Sequence, residues 1–293
     1  MISQASLSSW WRQGGRALLP YLLVAPPFLV MLALIIYPAT LAVIETVLVR
    51  RNGVVQFSLH RYIDFFNTPL SVMNLLFTLR ITLLIVVLLF VICFPIALYL
   101  RFTATRLSGT VQMLSLLPMF VPGIITAYAL IRFLGANGWL ERVLESFFGY
   151  EGYVSPYLRP SGIVVGLVWE GIPITVLILT AGLSQISDGL LETASDVGAN
   201  RWQIFWRIIL PLLKRPALIV LSLNFLGAFG AFTIPFLLGP ASPQMMGVYM
   251  QRTFNNNLPS QAQVQAVITF VISALVSIFY VRAIVSQRLE EGK

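Results

Sequence analysis

Charge, cysteine and histidine are the scarce residues in this 293-residue sequence. Only 10% of positions are charged, against roughly 25% in a typical soluble domain, while 58% are apolar. So few charges cannot cover one or two soluble domains of that length, and a bilayer removes the requirement. The single cysteine, Cys93, lies inside an apolar run, which excludes an intramolecular disulfide and any multi-cysteine metal site. The single histidine, His60, excludes a His-cluster metal site and leaves a Ser/His/Asp triad only one possible base. No G-x-x-x-x-G-K-[ST] run is present to cradle a nucleotide. Redox chemistry and catalysis are disfavoured, so the chain is not expected to be an enzyme or to hold a cofactor of its own.

What is abundant is apolar length. A helix needs about 20 mainly apolar residues to span the hydrocarbon core. Six runs meet that length: Tyr21 to Leu48, Ile81 to Leu100, Met113 to Leu134, Gly162 to Leu183, Leu212 to Leu238 and Val264 to Val285. An even number puts both termini on one side. Arg12, Arg16, Arg101, Arg106, Arg201, Arg207, Lys214, Arg215, Arg282, Arg288 and Lys293 gather on one side, eleven of the 19 basic residues. The other side holds Arg50, Arg51, Arg61, Arg80, Arg132, Arg142, Arg159 and Arg252, so the positive-inside rule predicts cytoplasmic termini. The net charge of +8 then reflects topology and anionic lipid, and no nucleic-acid partner is expected.

Arg12 and Arg16 precede an apolar stretch as in a signal peptide, but that stretch exceeds a 7–15-residue h-region and no small-residue cleavage site closes it. Helix breakers interrupt several spans: Pro26, Pro27, Pro38, Pro95, Pro118, Pro122 with Gly123, Pro173 and Pro235. In lipid such kinks need neighbouring helices or water to satisfy the freed carbonyls, which argues for a packed bundle around a path, although proline is also commoner in membrane helices generally. No soluble domain interrupts the chain, and residues 1–293 read as one all-α membrane domain.

The connection between spans four and five has a helical pattern of its own. Leu190, Ala194 and Val197 recur on one face of a short helix whose polar face carries Glu192 and Asp196. Gly198 breaks that helix. Asn200 caps the next one, with Gln203 three residues on as in a capping box, and Trp202, Phe205, Trp206 and Ile209 form its apolar face until Pro211 stops it. Periodicity alone leaves two readings open: a knob that seats in a groove of a cytoplasmic partner, or two interfacial helices lying on lipid with tryptophan anchors.

Glu192, Ala194, Gly198, then nine residues, Ile208, Leu210 and Pro211 resemble the EAA motif of ATP-binding cassette (ABC) importer permeases, with Thr193 replacing the motif's second residue. The resemblance extends over most of the chain from about Phe57. Phe94-Pro95-Ile96-Ala97-Leu98-Tyr99, Leu134-Gly135-Ala136-Asn137-Gly138 and Phe229-Gly230-Ala231-Phe232-Thr233-Ile234-Pro235 resemble the spermidine/putrescine branch. That resemblance implies a type I importer permease fold of six transmembrane helices in a bacterial inner membrane, with the core permease domain over residues 75–285. It also implies that residues 188–211 are coupling helices seated on an ATP-hydrolysing subunit. Glu192, Ala194, Gly198, Ala199, Arg201, Ile208, Leu210 and Pro211 would form that contact. Implied partners are a second, different permease chain, two ATPase subunits holding ATP and Mg, and a periplasmic or lipid-anchored solute-binding protein. The implied cargo is a polyamine, with opines, aminophosphonates, other amine or amino-acid-like solutes and ferric iron as alternatives.

An ionisable residue inside a span costs about 2.5–3.5 kcal/mol on insertion scales and marks a functional site by default. Glu170, in span four just before Pro173, fits a water-lined position on a path, or a hydrogen bond to Asn224 or Thr175. Glu45, near the end of span one, fits the path or the headgroups. Trp169 and Tyr128 could offer cation–π faces to a polyamine, or belong to a core stripe. A secondary transporter coupling protons through Glu45 or Glu170 is the rival from another class, and it predicts transport without any ATPase.

Overall fold

A computed structural model of the chain describes residues 21–51 and 54–291. Arg12, Arg16 and Lys293, with the signal-peptide question, lie outside the described residues. The chain forms two compact units, one up to Asp64 and one from Phe65 onward, and each is described by itself.

The first unit holds helix α1 (Tyr21–Val47) and an antiparallel hairpin of β1 (Leu48–Arg51) and β2 (Val54–Phe57), in which Leu48 pairs with Phe57 and Arg51 with Val54. Helix α2 (His60–Asn67) follows. The strands were not expected; β-branched and apolar residues on both sides of the turn favour an extended pair once α1 ends. The Thr46 hydroxyl meets the Tyr62 hydroxyl at 2.6 Å, and Arg61 Nη1 donates to the Glu45 carbonyl at 2.6 Å, which ties α2 back to the end of α1.

The second unit contains α3 (Pro69–Phe102), α4 (Arg106–Leu116), α5 (Gly123–Leu134), α6 (Trp139–Phe148), α7 (Pro160–Ser184), α8 (Asp188–Asp196), α9 (Arg201–Phe229), α10 (Thr233–Leu238), α11 (Met246–Asn255) and α12 (Pro259–Glu291). Among the described residues, α1, α3, α7, α9 and α12 are long and apolar enough to cross a bilayer, and one bent pair around α4 and α5 makes up to six.

The core follows from spacing. Ile81, Ile85, Leu89, Cys93 and Ala97 repeat every four residues along α3 and are buried, against Leu167, Val176, Leu179 and Leu183 of α7 and Leu213 and Val220 of α9. Association in lipid has no hydrophobic drive, so close approach supplies it. A Cβ on Gly171 would stand 2.5 Å from a Leu89 methyl, and one on Gly182 would stand 2.5 Å from Pro216 Cβ. A side chain at either position would push two of these helices apart.

Two expectations need correction. The third span is not one continuous helix: a 3-10 turn over Leu117–Phe120 ends at Val121, Pro122 caps α5, and the limbs meet at 107°. Pro118 and Pro122 remove two helix donors within five residues, and the chain turns there. The fifth span lies earlier than Leu212 to Leu238, because Pro211 does not stop the preceding helix. A π-turn over Phe205–Ile209, with the Leu210 N–H bonded to the Phe205 carbonyl, admits the proline ring, and α9 runs on to Phe229. The same device precedes Pro38 in α1, where a π-turn covers Leu32–Ile36 and the Tyr37 N–H bonds to the Leu32 carbonyl.

Beyond α10 the chain folds back along α3. Asn74 Oδ1 accepts from the Gln244 N–H at 2.8 Å, Thr78 Oγ1 accepts from the Met246 N–H at 2.8 Å, and the Ser71 hydroxyl meets the Tyr249 hydroxyl at 3.0 Å. Ser71, Asn74 and Thr78 share one face of α3, so three polar groups on a buried helix satisfy the entry to α11.

Candidate functional site: an exposed helical loop and a carboxylate in a cavity

The loop at 188–211 is built from local hydrogen bonds. Gly198 takes φ +87°, a conformation that L side chains rarely adopt, at the C-terminus of α8. The Ala199 N–H then reaches the Ala194 carbonyl at 3.0 Å, the six-to-one bond of a Schellman motif. Asn200 opens α9: its side chain accepts from the Gln203 N–H at 2.8 Å, and the Gln203 side chain accepts from the Asn200 N–H at 2.9 Å. The capping box read from the sequence is present.

Arg101, counted in the sequence only as a positive charge, fastens this loop to the bundle. From the last turn of α3 it donates to the carbonyls of Leu183 at 3.2 Å and Ile186 at 2.8 Å, and to Asp188 Oδ1 at 2.6 Å. Leu183 lies in the last turn of α7, where its carbonyl also takes the Ile186 N–H at 3.1 Å; Ile186 lies just past that helix, and Asp188 is the first residue of α8. Aromatic contact adds a second tie, with Phe205 at 6.0 Å from Phe94, which stacks on Phe90.

The apolar residues of the loop divide. Ile209 is buried and Leu191 and Ile204 are half-buried, whereas Val197 (81%), Trp202 (70%) and Trp206 (51%) are exposed. Trp202 packs against Phe205 and edge-on to Trp206, so the exposed rings form one rigid patch. Glu192 and Arg201 are exposed beside it, Ala194, Ala199, Ile208 and Leu210 are half-buried, and Pro211 is exposed. The loop therefore presents exposed apolar and charged side chains, with the Trp202 and Trp206 rings in contact, that nothing in the chain covers among the described residues.

The second feature is a cavity of about 330 Å³, whose lining includes Ile85, Gly123, Glu170, Asn224, Gly227 and Phe232. Glu170 and Asn224, paired as alternatives in the sequence reading, both face it without bonding each other. Asn224 Nδ2 donates instead to Thr175 Oγ1 at 2.7 Å, and the Thr175 hydroxyl donates to the Gly171 carbonyl at 2.6 Å. Among the described residues no side chain donates to the Glu170 carboxylate. Its Oε1 stands 2.5 Å from where a Cβ on Gly123 would be, so any side chain there would displace the carboxylate.

The other candidates lie elsewhere. Trp169 and Tyr128 are exposed and do not line the cavity. Glu45 belongs to the first unit, exposed near the end of α1, with its backbone carbonyl taking Arg61. Gly123 and Phe232 could be found in the sequence only as a helix breaker and as part of an apolar run.

Residues 97–291 match the family described as the inner membrane component of binding-protein-dependent transport systems. The spermidine/putrescine transport system permease protein PotB of Salmonella typhimurium is 27% identical over 214 residues, covering 72% of this chain and 75% of PotB. The ferric transport system permease protein FbpB of Actinobacillus pleuropneumoniae is 31% identical over 144 residues, 49% of this chain but 21% of FbpB. In fold, the chain resembles one from a bacterial alginate ABC transporter solved with its alginate-bound periplasmic protein, with a TM-score of 0.77 at 18% identity over 93% of this chain and 95% of that one. From the family match and that shared fold we conclude that the chain belongs to the inner membrane components of binding-protein-dependent transport systems, the permease subunits of ABC importers.

Proposed function

We propose that this permease subunit carries a small organic amine of the polyamine class, released to it by a solute-binding protein. Its cytoplasmic loop at 188–211 is driven by ATPase subunits that hold ATP and Mg. Both termini lie on the cytoplasmic side with that loop, as the eleven-to-eight division of basic residues favours. A second, different permease chain completes the translocation path.

The observation that carries the coupling role is the rigid, uncovered patch of Val197, Trp202 and Trp206, flanked by Glu192 and fastened to the bundle through Arg101. A patch pinned to the ends of both α3 and α7 transmits a push on the loop to two spans at once, as a flexible connector would not. The solute moves because the bundle's inward-facing and outward-facing states differ in affinity for nucleotide-bound ATPase, and ATP shifts the balance between them. The amine cargo is supported by the PotB relatives and by a membrane-embedded carboxylate facing a cavity.

The test is paired. Trp202→Ala with Glu192→Ala, in the chain co-expressed with its transport partners, is expected to lower recovery of the ATPase subunit and abolish uptake. Undiminished co-purification and uptake would remove the coupling role. For the cargo, calorimetry on the partnering solute-binding protein should detect putrescine or spermidine, and heat from neither would remove the amine reading.

A further inference from the structure

We infer that the cavity bounded by α3, α5, α7, α9 and α10 is a binding site for a slender primary ammonium, with the Glu170 carboxylate as its counter-charge and Asn224 as a second acceptor. This rests on the reading of the chain as an importer of organic amines, and adds where along the path the cargo pauses and by what chemistry.

The first argument is position. Glu170 is ten residues beyond the start of α7, about 15 Å at 1.5 Å per residue, half the roughly 30 Å of hydrocarbon. A carboxylate there needs support, and the break in the third span supplies it. Oε1 lies against Gly123, the first residue of α5, where free backbone N–H groups and the positive helix end favour an anion. The helix end stands beside the carboxylate without covering it, and no side chain donates to it among the described residues.

The second argument is the sign and type of the remaining groups. Asn224 spends one of its two amide N–H groups on Thr175, which leaves its carbonyl oxygen and one N–H to offer. The one charged group among the lining residues is thus an acceptor, the Asn224 amide adds a carbonyl oxygen beside its remaining N–H, and the rest, Ile85, Leu89 and Leu167 among them, is largely apolar apart from Thr233. A donor-only head on an alkyl stem matches that wall. A carboxylate or phosphonate would be repelled by Glu170, and a sugar would set most of its hydroxyls against an apolar wall. Phe232, stacked on Phe236 at 5.2 Å, adds an aromatic group to the wall. A bare metal ion is a poorer fit, because no three His, Cys, Asp or Glu side chains converge anywhere among the described residues.

The third argument is size. At about 330 Å³ the cavity is near the lower end of the roughly 300–1,000 Å³ of ligand pockets, right for an extended alkylamine. Gly227 gives a handle on it: a Cβ there meets no atom within 4 Å, so a larger side chain would occupy cavity space without first colliding with the bundle.

The experiment uses the assembled importer in lipid nanodiscs, with and without its solute-binding protein. Equilibrium binding of radiolabelled putrescine and spermidine is measured without the binding protein, and uptake with it after reconstitution into vesicles. Wild-type complex should bind at least one amine. Glu170→Gln should weaken binding by about tenfold or more, Glu170→Asp should restore part of it, and Gly227→Leu should remove it. Co-purification of all subunits establishes that each variant is assembled. No amine binding by the wild-type complex, or equal binding by assembled Glu170→Gln, overturns the site, even where uptake shows that the importer carries amines. Amine binding that depends on Glu170 without amine uptake upholds the site and removes the polyamine reading of the whole importer.

Discussion

The loop at 188–211 and the cavity at Glu170 belong to the same compact unit, yet their parts are assembled over very different distances in sequence. In the loop the shaping bonds run between residues three to five apart: Gly198 to Ser195, Ala199 to Ala194, Asn200 to Gln203. Around Glu170 the walls come from five helices, and Asn224 reaches its partner Thr175 across 49 positions. The loop turns apolar rings outward, while the cavity turns a carboxylate inward. A surface meant for another protein can be preformed by local bonds, because binding then costs little ordering. A cavity built from packed helices has every wall reshaped together when those helices rearrange.

Gly198→Val should break that contrast most severely. The position needs φ +87°, and a β-branched residue there costs on the order of 1–3 kcal/mol or leaves that conformation altogether. Where the conformation is lost, α8 turns away from α9. Uptake by the reconstituted importer should fall to background, while amine binding to the cavity survives, because the loop's shape and the cavity's are separate. Loss of both together would show that they are one cooperative element.

Arg101→Ala comes next. It strips a hydrogen bond from each of the Leu183 and Ile186 carbonyls and detaches Asp188; the Leu183 carbonyl keeps the Ile186 N–H, so the cost of about 1–3 kcal/mol for a carbonyl left without a donor falls on Ile186. The expected reading is a lowered thermal midpoint of the purified complex and more ATP hydrolysed per solute moved. Arg101→Lys keeps the charge but carries its donors on a single nitrogen instead of the Nε and Nη2 of a planar fork, and should recover only part of the ratio.

Asn200→Ala should cost about 1 kcal/mol by removing half of the capping box. Hydrogen exchange at the Gln203 amide should accelerate, with little change at α7. Unaltered exchange would mean that the start of α9 is held by the Trp202, Phe205 and Trp206 cluster instead.

These local devices are also what the sequence made legible. Asn200, Gln203 and Gly198 announce their conformations by residue type, since a capping box and a left-handed turn depend on neighbours three positions away. The spans were legible for a similar reason, because apolar length is local. The 107° break at Val121 was foreshadowed by Pro118, Pro122 and Gly123, but its angle depends on the helices packed around it. Pro211 misled because proline's ordinary effect is to end a helix, whereas a π-turn upstream absorbed it. The role of Arg101 left no trace in the sequence: its acceptors are two backbone carbonyls and a carboxylate more than eighty positions away.

Asp188→Asn carries the smallest expected effect and sharpens the account of Arg101. Its ion pair with Arg101 is 2.6 Å long, but the Asp188 side chain is 71% exposed while Arg101 is 16% exposed. An exposed pair of this kind contributes about 0.2–1 kcal/mol and is screened by salt. The two carbonyl bonds are a different matter, because they lie toward the buried side of the guanidinium and close the end of α7. Asp188→Asn should therefore leave the thermal midpoint and the ATP-per-solute ratio nearly unchanged, and Arg101→Ala should shift both at low and high salt alike. Equal effects from the two variants, fading together as salt rises, would make the fastening of the loop an ion pair rather than a cap on a helix end, and the loop's rigidity would then depend on ionic strength.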